Sequence, residues 1–324
     1  MGCSRSPFGG LCRARVRGYV CRMILPRIFS AMLVLAMAAG SALLTRGAES
    51  NYQVAENWAQ FPEGVTAWGA ATGVDLGPEG NIYVFHRHAE MPIMAFDANG
   101  KFLRAWGKGL FKTTHFLRTD REGNVWVTDR GDHQVFKFSS EGKLLLTLGQ
   151  KGVIGTNESR DAFFGVADLV IVQNGDVFIA DGEAGNNRIV KYSKAGEFVT
   201  WWGGRGPQPG HFNEPHSIAI DAAGLLYVGD RGNKRIQVFD QTGKFIREWT
   251  HFGTPWGVFV RGDRLYVVDG TEANCLYIAN LKDGTIIEKV EGLKNATAVT
   301  VDAKGVIYIG EVNGANVRKL VPKG

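Results

Sequence analysis

The chain has little cysteine: three of its four cysteines lie in the first 21 residues, and only Cys275 follows them. A lone thiol downstream excludes an internal disulfide and a CxxC metal pair there, and we expect Cys275 to be a packing residue. The sequence also lacks a glycine-rich nucleotide loop and a GxSxG nucleophile elbow. Disulfide scaffolds, nucleotide-binding folds and serine hydrolases of the elbow type are therefore disfavoured.

Most of the chain has no excess of positive or negative charge. The whole sequence carries 37 Lys and Arg against 32 Asp and Glu, but seven of the arginines and only one glutamate precede residue 51. Residues 51–324 are thus close to neutral, and the basic character of the whole chain comes from its first segment. We therefore expect no nucleic-acid partner.

Long apolar runs are scarce as well, and the clearest one is Ile28–Leu44. It follows two arginines and ends in small residues, which is typical of a signal peptide covering residues 1–50, with Met23 as a candidate start. Cleavage near Ala42 or Ala48 would give a secreted or periplasmic mature chain with no membrane span. The alternative is an uncleaved N-terminal anchor.

What the chain has in abundance is a repeat of short strands separated by glycine-rich turns. A strand with alternating apolar residues recurs every 39 to 52 residues, as GNIYVFHR, GNVWVTDR, GDVFIADG, GLLYVGDR, DRLYVVDG and GVIYIGEV from residues 80, 123, 175, 224, 263 and 305. An outer strand recurs as GKFLRAWG, GKLLLTLG, GEFVTWWG and GKFIREW. Four strands per repeat at this period are typical of a propeller.

The repeats predict an all-β, six-bladed β-propeller in residues 51–324, which we expect to be monomeric. The predicted blades cover 66–109, 110–151, 161–205, 207–250, 251–291 and 292–321. The last repeat supplies only three strands, so we expect residues 52–60 to provide the fourth and close the ring.

Two histidines occupy the same register in different blades. In the first strand of each blade, which lines the central channel, the residue five before the turn aspartate is His115 in blade two, His216 in blade four and Thr297 in blade six. The other blades have Thr72, Ala167 and a residue of the Pro255–Trp256 step. Three imidazoles on one axis would form an open zinc site, and here two are supplied. The remaining histidines, His86 among them, lack this register and are interpreted as surface or loop residues.

Three arginines follow the second strand at equivalent positions, namely Arg87, Arg130 and Arg231. Guanidinium groups brought together in this way could bind an anion such as a carboxylate. The alternative is that each Asp-Arg pair is a salt bridge within a turn, repeated because the blade is repeated.

These segments resemble NHL-type six-bladed propellers, and among them the peptidyl-α-hydroxyglycine α-amidating lyases, over about residues 52–321. The resemblance rests on VFHR at 84–87, VWVTD at 125–129, DGEAGNNRIVKY at 181–192 and HFNEPHSIAI at 211–220. It implies a zinc ion on propeller histidines, here His115 and His216, with Arg87 and Arg231 holding the carboxylate and carbinol of the substrate. The reaction implied is cleavage of a carbinolamide into an amide and glyoxylate.

The chain departs from that family at three places. The third family histidine aligns with Thr297, and the family tyrosine base aligns with Glu183. The family disulfide near this motif has no counterpart. Glu183 is accordingly a candidate third metal ligand or a base.

Three functions stay open at this point. The first is a secreted propeller that binds a peptide or small anionic ligand without catalysis, with Arg130 among the binding residues. The second is a metal-dependent lyase with a rebuilt zinc site and Arg87, Glu183 and Arg231 as catalytic residues. The third is a lactone or ester hydrolase of the calcium type, for which Asn186, Asp230 and Asn233 are candidates by residue type. Calcium is also a candidate structural ion.

Overall fold

The computed structural model describes residues 50–324, and the predicted signal peptide and its cleavage positions lie outside the described residues. Within residues 50–324 the chain forms six sheets of four strands. No helix in that range is long and apolar enough to cross a membrane. The prediction of an all-β, six-bladed propeller is confirmed.

The first three blades are consecutive antiparallel sheets, each built from four strands in chain order. Blade 1 consists of β2 (Ala71–Leu76), β3 (Ile82–His86), β4 (Ile93–Phe96) and β5 (Phe102–Trp106). Blade 2 consists of β6 (Thr114–Thr119), β7 (Val125–Asp129), β8 (Gln134–Phe138) and β9 (Leu144–Leu148). Blade 3 consists of β10 (Val166–Ile171), β11 (Val177–Asp181), β12 (Arg188–Tyr192) and β13 (Phe198–Gly203).

The next two blades repeat this order, and the sixth combines the two ends of the described chain. Blade 4 consists of β14 (Pro215–Ile220), β15 (Leu226–Asp230), β16 (Arg235–Phe239) and β17 (Phe245–Trp249), with one 3₁₀ turn at Arg231–Asn233. Blade 5 consists of β18 (Pro255–Arg261), β19 (Arg264–Asp269), β20 (Cys275–Asn280) and β21 (Ile286–Val290). Blade 6 consists of β22 (Ala296–Val301), β23 (Ile307–Glu311), β24 (Asn316–Pro322) and β1 (Tyr52–Val54).

The strand β1 pairs with β24 in antiparallel register, with Gln53 opposite Val321. The strand is shorter than the predicted segment 52–60, because the chain leaves the sheet after Val54. Trp58 then donates its indole N–H to the Val317 carbonyl and packs edge-on against Tyr308. The rest of the segment therefore covers the seam between blades 6 and 1.

Apolar side chains between neighbouring sheets form the core, as the alternation in the strands predicts. Each cluster joins adjacent blades: Phe163 and Trp126 link blades 2 and 3, and Phe212 and Phe178 link blades 3 and 4. Cys275 is fully buried in β20, so its predicted packing role agrees with its position, and burial raises the pKa of its thiol. A ring of blades packed in this way holds the inner strands in fixed register around the channel.

Candidate metal centre

A β-bulge at the start of the first strand points one residue of each blade toward the channel. In blade 4 the pairing passes from Pro215 opposite Asp230 to Ser217 opposite Gly229, so His216 is the extra residue. The same irregularity, two residues wide in blades 2 and 3, contains Thr72, His115, Ala167, Trp256 and Thr297 in the other blades. Bulges re-aim side chains and are frequent beside functional sites. The register deduced from the sequence therefore has a structural cause.

The structure brings His115 and His216 together, with ring centroids 5.0 Å apart. His115 Nδ1 lies 3.0 Å from the Ala167 carbonyl and His216 Nδ1 lies 2.6 Å from the Trp256 carbonyl. A carbonyl oxygen only accepts, so each Nδ1 carries the proton and each Nε2 keeps its lone pair. Burial lowers the pKa of both imidazoles, which keeps them neutral. Both rings thus present a ligand atom to the same space.

Glu183 completes the group. Its Oε2 lies 3.3 Å from His216 Nε2 and its Oε1 lies 3.9 Å from His115 Nε2. The three residues offer ligand atoms within 4.8 Å of one another, and no second group of this kind occurs among the residues that the structure describes. With bonds of about 2 Å, tetrahedral zinc ligands lie roughly 3.3 Å apart, and two histidines with a glutamate are a known catalytic set. The residues present therefore fit a zinc ion.

The loop that carries Glu183 is held by close backbone packing. The backbone N–H groups of Gly182 and Glu183 both donate to the Gly165 carbonyl. A Cβ on Gly182 would lie 2.2 Å from Pro215 Cδ, so only glycine allows this loop to approach blade 4 so closely. Glycine at 182 therefore brings Glu183 next to the strand that carries His216.

The three predicted arginines lie at the same mouth but differ in their contacts. Arg231 Nη2 lies 3.0 Å from Glu183 Oε2, and Arg130 Nε lies 3.6 Å from Glu183 Oε1. Arg87 is exposed; partial desolvation and the nearby charge of Arg130 lower its pKa, whereas Glu183 raises it. Three guanidinium groups against the carboxylates of Glu183 and Glu214 leave the mouth with a net positive charge, which favours an anionic ligand.

The alternative interpretation of the Asp-Arg pairs as salt bridges is wrong. Asp129 accepts hydrogen bonds from the backbone of Lys112 and Thr113, and Asp230 accepts one from Asn213 and pairs with Arg235. These aspartates fix the loop that precedes the first strand of their own blade, which leaves the following arginine to contact the mouth.

The interpretation of His86 as a surface or loop residue is also wrong. His86 is fully buried at the end of β3, where it accepts a hydrogen bond from the Gly69 backbone N–H on Nδ1 and contacts the Met91 carbonyl through Nε2. It occupies the position that Asp129 and Asp230 occupy in other blades. The sequence contained this signal, because His86 precedes Arg87 as Asp129 precedes Arg130.

The candidates for a calcium-type site are engaged in other contacts. Asn186 donates to Asp181, and Asn233 donates to Asp230. In the channel, Asp168 is paired with the buried Arg118, which also reaches the Val258 carbonyl across the ring. This pair was not predicted, because its members are 50 residues apart. These carboxylates therefore already have cationic or amide donors.

Five buried side-chain atoms at this mouth make no well-aligned hydrogen bond within residues 50–324, and we refer to them as orphan atoms, although one of them, Glu183 Oε2, contacts Arg231 Nη2 at 3.0 Å. They are His216 Nε2, Glu183 Oε2, Arg130 Nε, Arg231 Nη1 and Trp256 Nε1. Two of them are lone-pair atoms that suit a cation, and three are donors that suit an anion.

Comparison with known proteins agrees with the fold. The NHL repeat family model matches residues 212–239, which form most of blade 4. The chain is a six-bladed propeller that carries an NHL repeat. Human NHL repeat-containing protein 3 is 36% identical over 193 residues, which cover 55% of this chain and 54% of that protein. The chain therefore spans about half the length of this curated relative.

Similarity to lyases is also found. A probable peptidyl-alpha-hydroxyglycine alpha-amidating lyase of Caenorhabditis elegans is 26% identical over 291 residues, which cover 78% of this chain and 82% of that protein. A solved streptogramin B lyase superposes with a TM-score of 0.59 at 14% identity and covers 83% of this chain and 97% of its own. The first similarity confirms the relationship to amidating lyases, and the second shows the shared fold alone.

Proposed function

We propose that this propeller binds one zinc ion on His115, Glu183 and His216 and acts as a carbon–nitrogen lyase on a small anionic carbinolamide. The observation that carries the proposal is the set of five orphan atoms at one mouth. Lone-pair atoms and donors that lack a well-aligned hydrogen bond are both costly when buried. A cation and an anion bound side by side would satisfy both groups.

Each group of residues at the site would have a distinct role in this reaction. Arg231, Arg130 and Arg87 would bind the substrate carboxylate at the mouth, and burial would strengthen the charge-assisted hydrogen bonds of Arg231, whose side chain is 12% exposed. His115 and His216 are kept neutral and correctly oriented by the Ala167 and Trp256 carbonyls. A bound zinc ion would supply Lewis acidity toward the carbinol hydroxyl.

The reaction itself moves one proton and breaks one bond. The hydroxyl gives up its proton, the carbon–oxygen bond becomes a carbonyl, and the carbon–nitrogen bond breaks with its electrons on nitrogen. The nitrogen takes a proton, so the products are an amide and glyoxylate with no net proton change. Glu183 is the carboxylate at the site and is the proposed carrier of that proton.

The second candidate is a propeller that binds a peptide or small anion without catalysis. It is favoured by the ion pair of Glu183 with Arg231 at 3.0 Å, which neutralises the carboxylate without a metal. Thr297 in the bulge of β22 also supplies a hydroxyl in the position equivalent to His115 and His216.

Release of glyoxylate from an N-acyl-α-hydroxyglycine, measured with zinc present, separates the two candidates. We expect the parent protein to release glyoxylate and His216→Ala to lose at least about 100-fold in rate, since a first ligand is removed. His251→Ala, which changes an imidazole bound to the Gly284 carbonyl outside the group, is the matched control. Binding of the compound without turnover supports the second candidate, and neither binding nor turnover contradicts both.

We also propose that the protein is exported, on the basis of the apolar run Ile28–Leu44. The mature N-terminus of protein recovered from outside the cytoplasm should lie close to Ala42 or Ala48. Full-length protein in the cytosol with its leader intact would contradict export.

A further inference from the structure

Trp256 is the channel residue of blade 5 and lies against two members of the site. It is the bulge residue of β18, equivalent to His115 and His216. Its ring centroid is 5.1 Å from that of His216, and the Arg231 guanidinium carbon lies 4.5 Å from its centroid. One side chain therefore touches both a proposed metal ligand and a proposed anion-binding residue.

The backbone and the side chain of Trp256 make separate contacts. The carbonyl accepts the His216 Nδ1 proton at 2.6 Å, so it fixes the tautomer of that imidazole. The ring carries the cation of Arg231 on its face, which is the strongest aromatic surface for a guanidinium. A substitution of the side chain consequently removes the ring's contacts with Arg231 and with the His216 ring, and leaves the backbone hydrogen bond to His216 Nδ1 in place.

The absence of a side chain at Gly270 leaves space for the Trp256 ring in blade 5. A Cβ built on Gly270 would lie 2.9 Å from Trp256 Cγ, so the indole packs directly on the Gly270 backbone. Gly270 follows Asp269 as Arg231 follows Asp230, and it stands where three other blades have an arginine. Blade 5 thus supplies an aromatic platform in place of an arginine.

The cation of Arg231 has acidic partners on one side and the indole on the other. Its Nη2 contacts Glu183 and Glu214, both at 3.0 Å, whereas Nη1 is an orphan atom. The indole Nε1 of Trp256 is an orphan donor as well. Arg231 and Trp256 thus each have one free N–H donor, and together they could bind an acceptor such as a carboxylate.

We propose that Trp256 is a positioning and recognition residue for a small carboxylate ligand. Its ring holds the Arg231 guanidinium with Nη1 free, and its indole N–H supplies a second donor to the same carboxylate. The proposal rests on the anion-binding mouth of the proposed function, but it does not require zinc or catalysis.

The direct test measures the affinity of glycolate by calorimetry, in chelator-treated protein and in zinc-loaded protein. We expect Trp256→Leu to weaken glycolate binding about tenfold in both states, and Trp256→Phe to weaken it about threefold, because the phenyl ring keeps the platform and loses the donor. Zinc affinity should change less than about twofold, since the carbonyl to His216 is retained. Trp202→Leu is the matched control, because Trp202 also has a buried orphan N–H but packs against Phe178 and Phe239.

A double-mutant cycle with Arg231→Met tests whether Trp256 acts through Arg231. Adding Trp256→Leu to Arg231→Met should lower glycolate affinity by no more than the threefold expected for the lost N–H alone. Equal affinity of parent and Trp256→Leu, or a full tenfold loss on top of Arg231→Met, would overturn the proposal. So would a parent that binds glycolate in neither state. Absence of zinc binding or of glyoxylate release would instead contradict the proposed function. The glycolate affinity of the chelator-treated proteins would then test the role of Trp256 by itself.

Discussion

The Oε2 atom of Glu183 lies 3.3 Å from the Nε2 atom of His216, and both are buried orphan atoms. The imidazole is neutral with its proton on Nδ1, so this contact brings two lone pairs together. Two acceptors in contact repel unless a cation lies between them. Arg231 Nη2, 3.0 Å from Glu183 Oε2, offsets part of this repulsion, and the arrangement suits the two ligands of one ion that we propose.

Glu183→Gln should separate the metal role of this residue from its structural role. The amide can donate to His216 Nε2, which offsets the loss of the ion pair with Arg231, so we expect the chelator-treated variant to unfold at about the same temperature as the parent. Zinc affinity should fall at least about 10- to 100-fold, because a neutral amide replaces a carboxylate ligand. A zinc competition titration and thermal unfolding with chelator measure the two effects. Undiminished zinc affinity would show that Glu183 is not a ligand.

Thr297→His should raise zinc affinity. Thr297 occupies the bulge of β22, equivalent to the bulges that present His115 and His216, and an imidazole is a far better zinc ligand than a hydroxyl. The gain should vanish when His216→Ala is added, because the ligands act on one ion. The same competition titration measures it. If Thr297→His binds zinc no more tightly than the parent, residues 115, 216 and 297 do not point to one common site.

Gly182→Ala should displace the loop that carries Glu183. The new Cβ would lie 2.2 Å from Pro215 Cδ, so either the loop or blade 4 must move. We expect a loss of about 1–3 kcal/mol in the free energy of unfolding from overpacking, together with weaker zinc binding. Chemical denaturation and the zinc titration test this. A variant with parental stability and parental zinc affinity would mean that the loop adapts freely.

His86 should make the fold sensitive to acid. Burial lowers its pKa from 6.5 to about 4, so between these values the unfolded chain takes up a proton that the folded chain does not. The contribution of His86 to stability is thus fully present above pH 6.5 and falls as the pH drops toward 4, by about 3 kcal/mol at about 1.4 kcal/mol per pKa unit.

The structural cause of that sensitivity is the Gly69 backbone N–H, which donates to His86 Nδ1 and is displaced when Nδ1 is protonated. His86→Asn offers an acceptor that does not titrate in this range, so its unfolding free energy should change less between pH 7 and pH 4.5. Urea denaturation of both proteins across this range, with chelator present, provides the measurement. Equal pH dependence would contradict the role of His86.

The fold and part of the site could be predicted because the blade is repeated. Period-two strands and glycine turns fix the blade count, and counting back from the turn aspartate places His115, His216 and Thr297 in one ring. The β-bulge at the start of the first strand could not be recognised in the sequence apart from this shared register. Trp256 was located only to within one residue, since blade 5 lacks the turn aspartate that aligns blades 2, 4 and 6.

Contacts between blades could not be predicted. The approach of Glu183 to His216 depends on Gly182 packing against Pro215, which are 33 residues apart. The pair of Arg118 and Asp168 depends in the same way on the packing of blade 2 against blade 3. Sequence patterns report the environment within one strand, whereas these contacts arise from the angle between neighbouring sheets.

The central claim is that His115, Glu183 and His216 bind one metal ion. The most direct measurement is the metal content of protein purified without chelator and without added metal, compared with His216→Ala prepared in parallel. The account predicts close to one zinc per chain in the parent and a large loss in the variant. A parent protein that contains no stoichiometric metal, or a variant that retains all of it, would contradict the account.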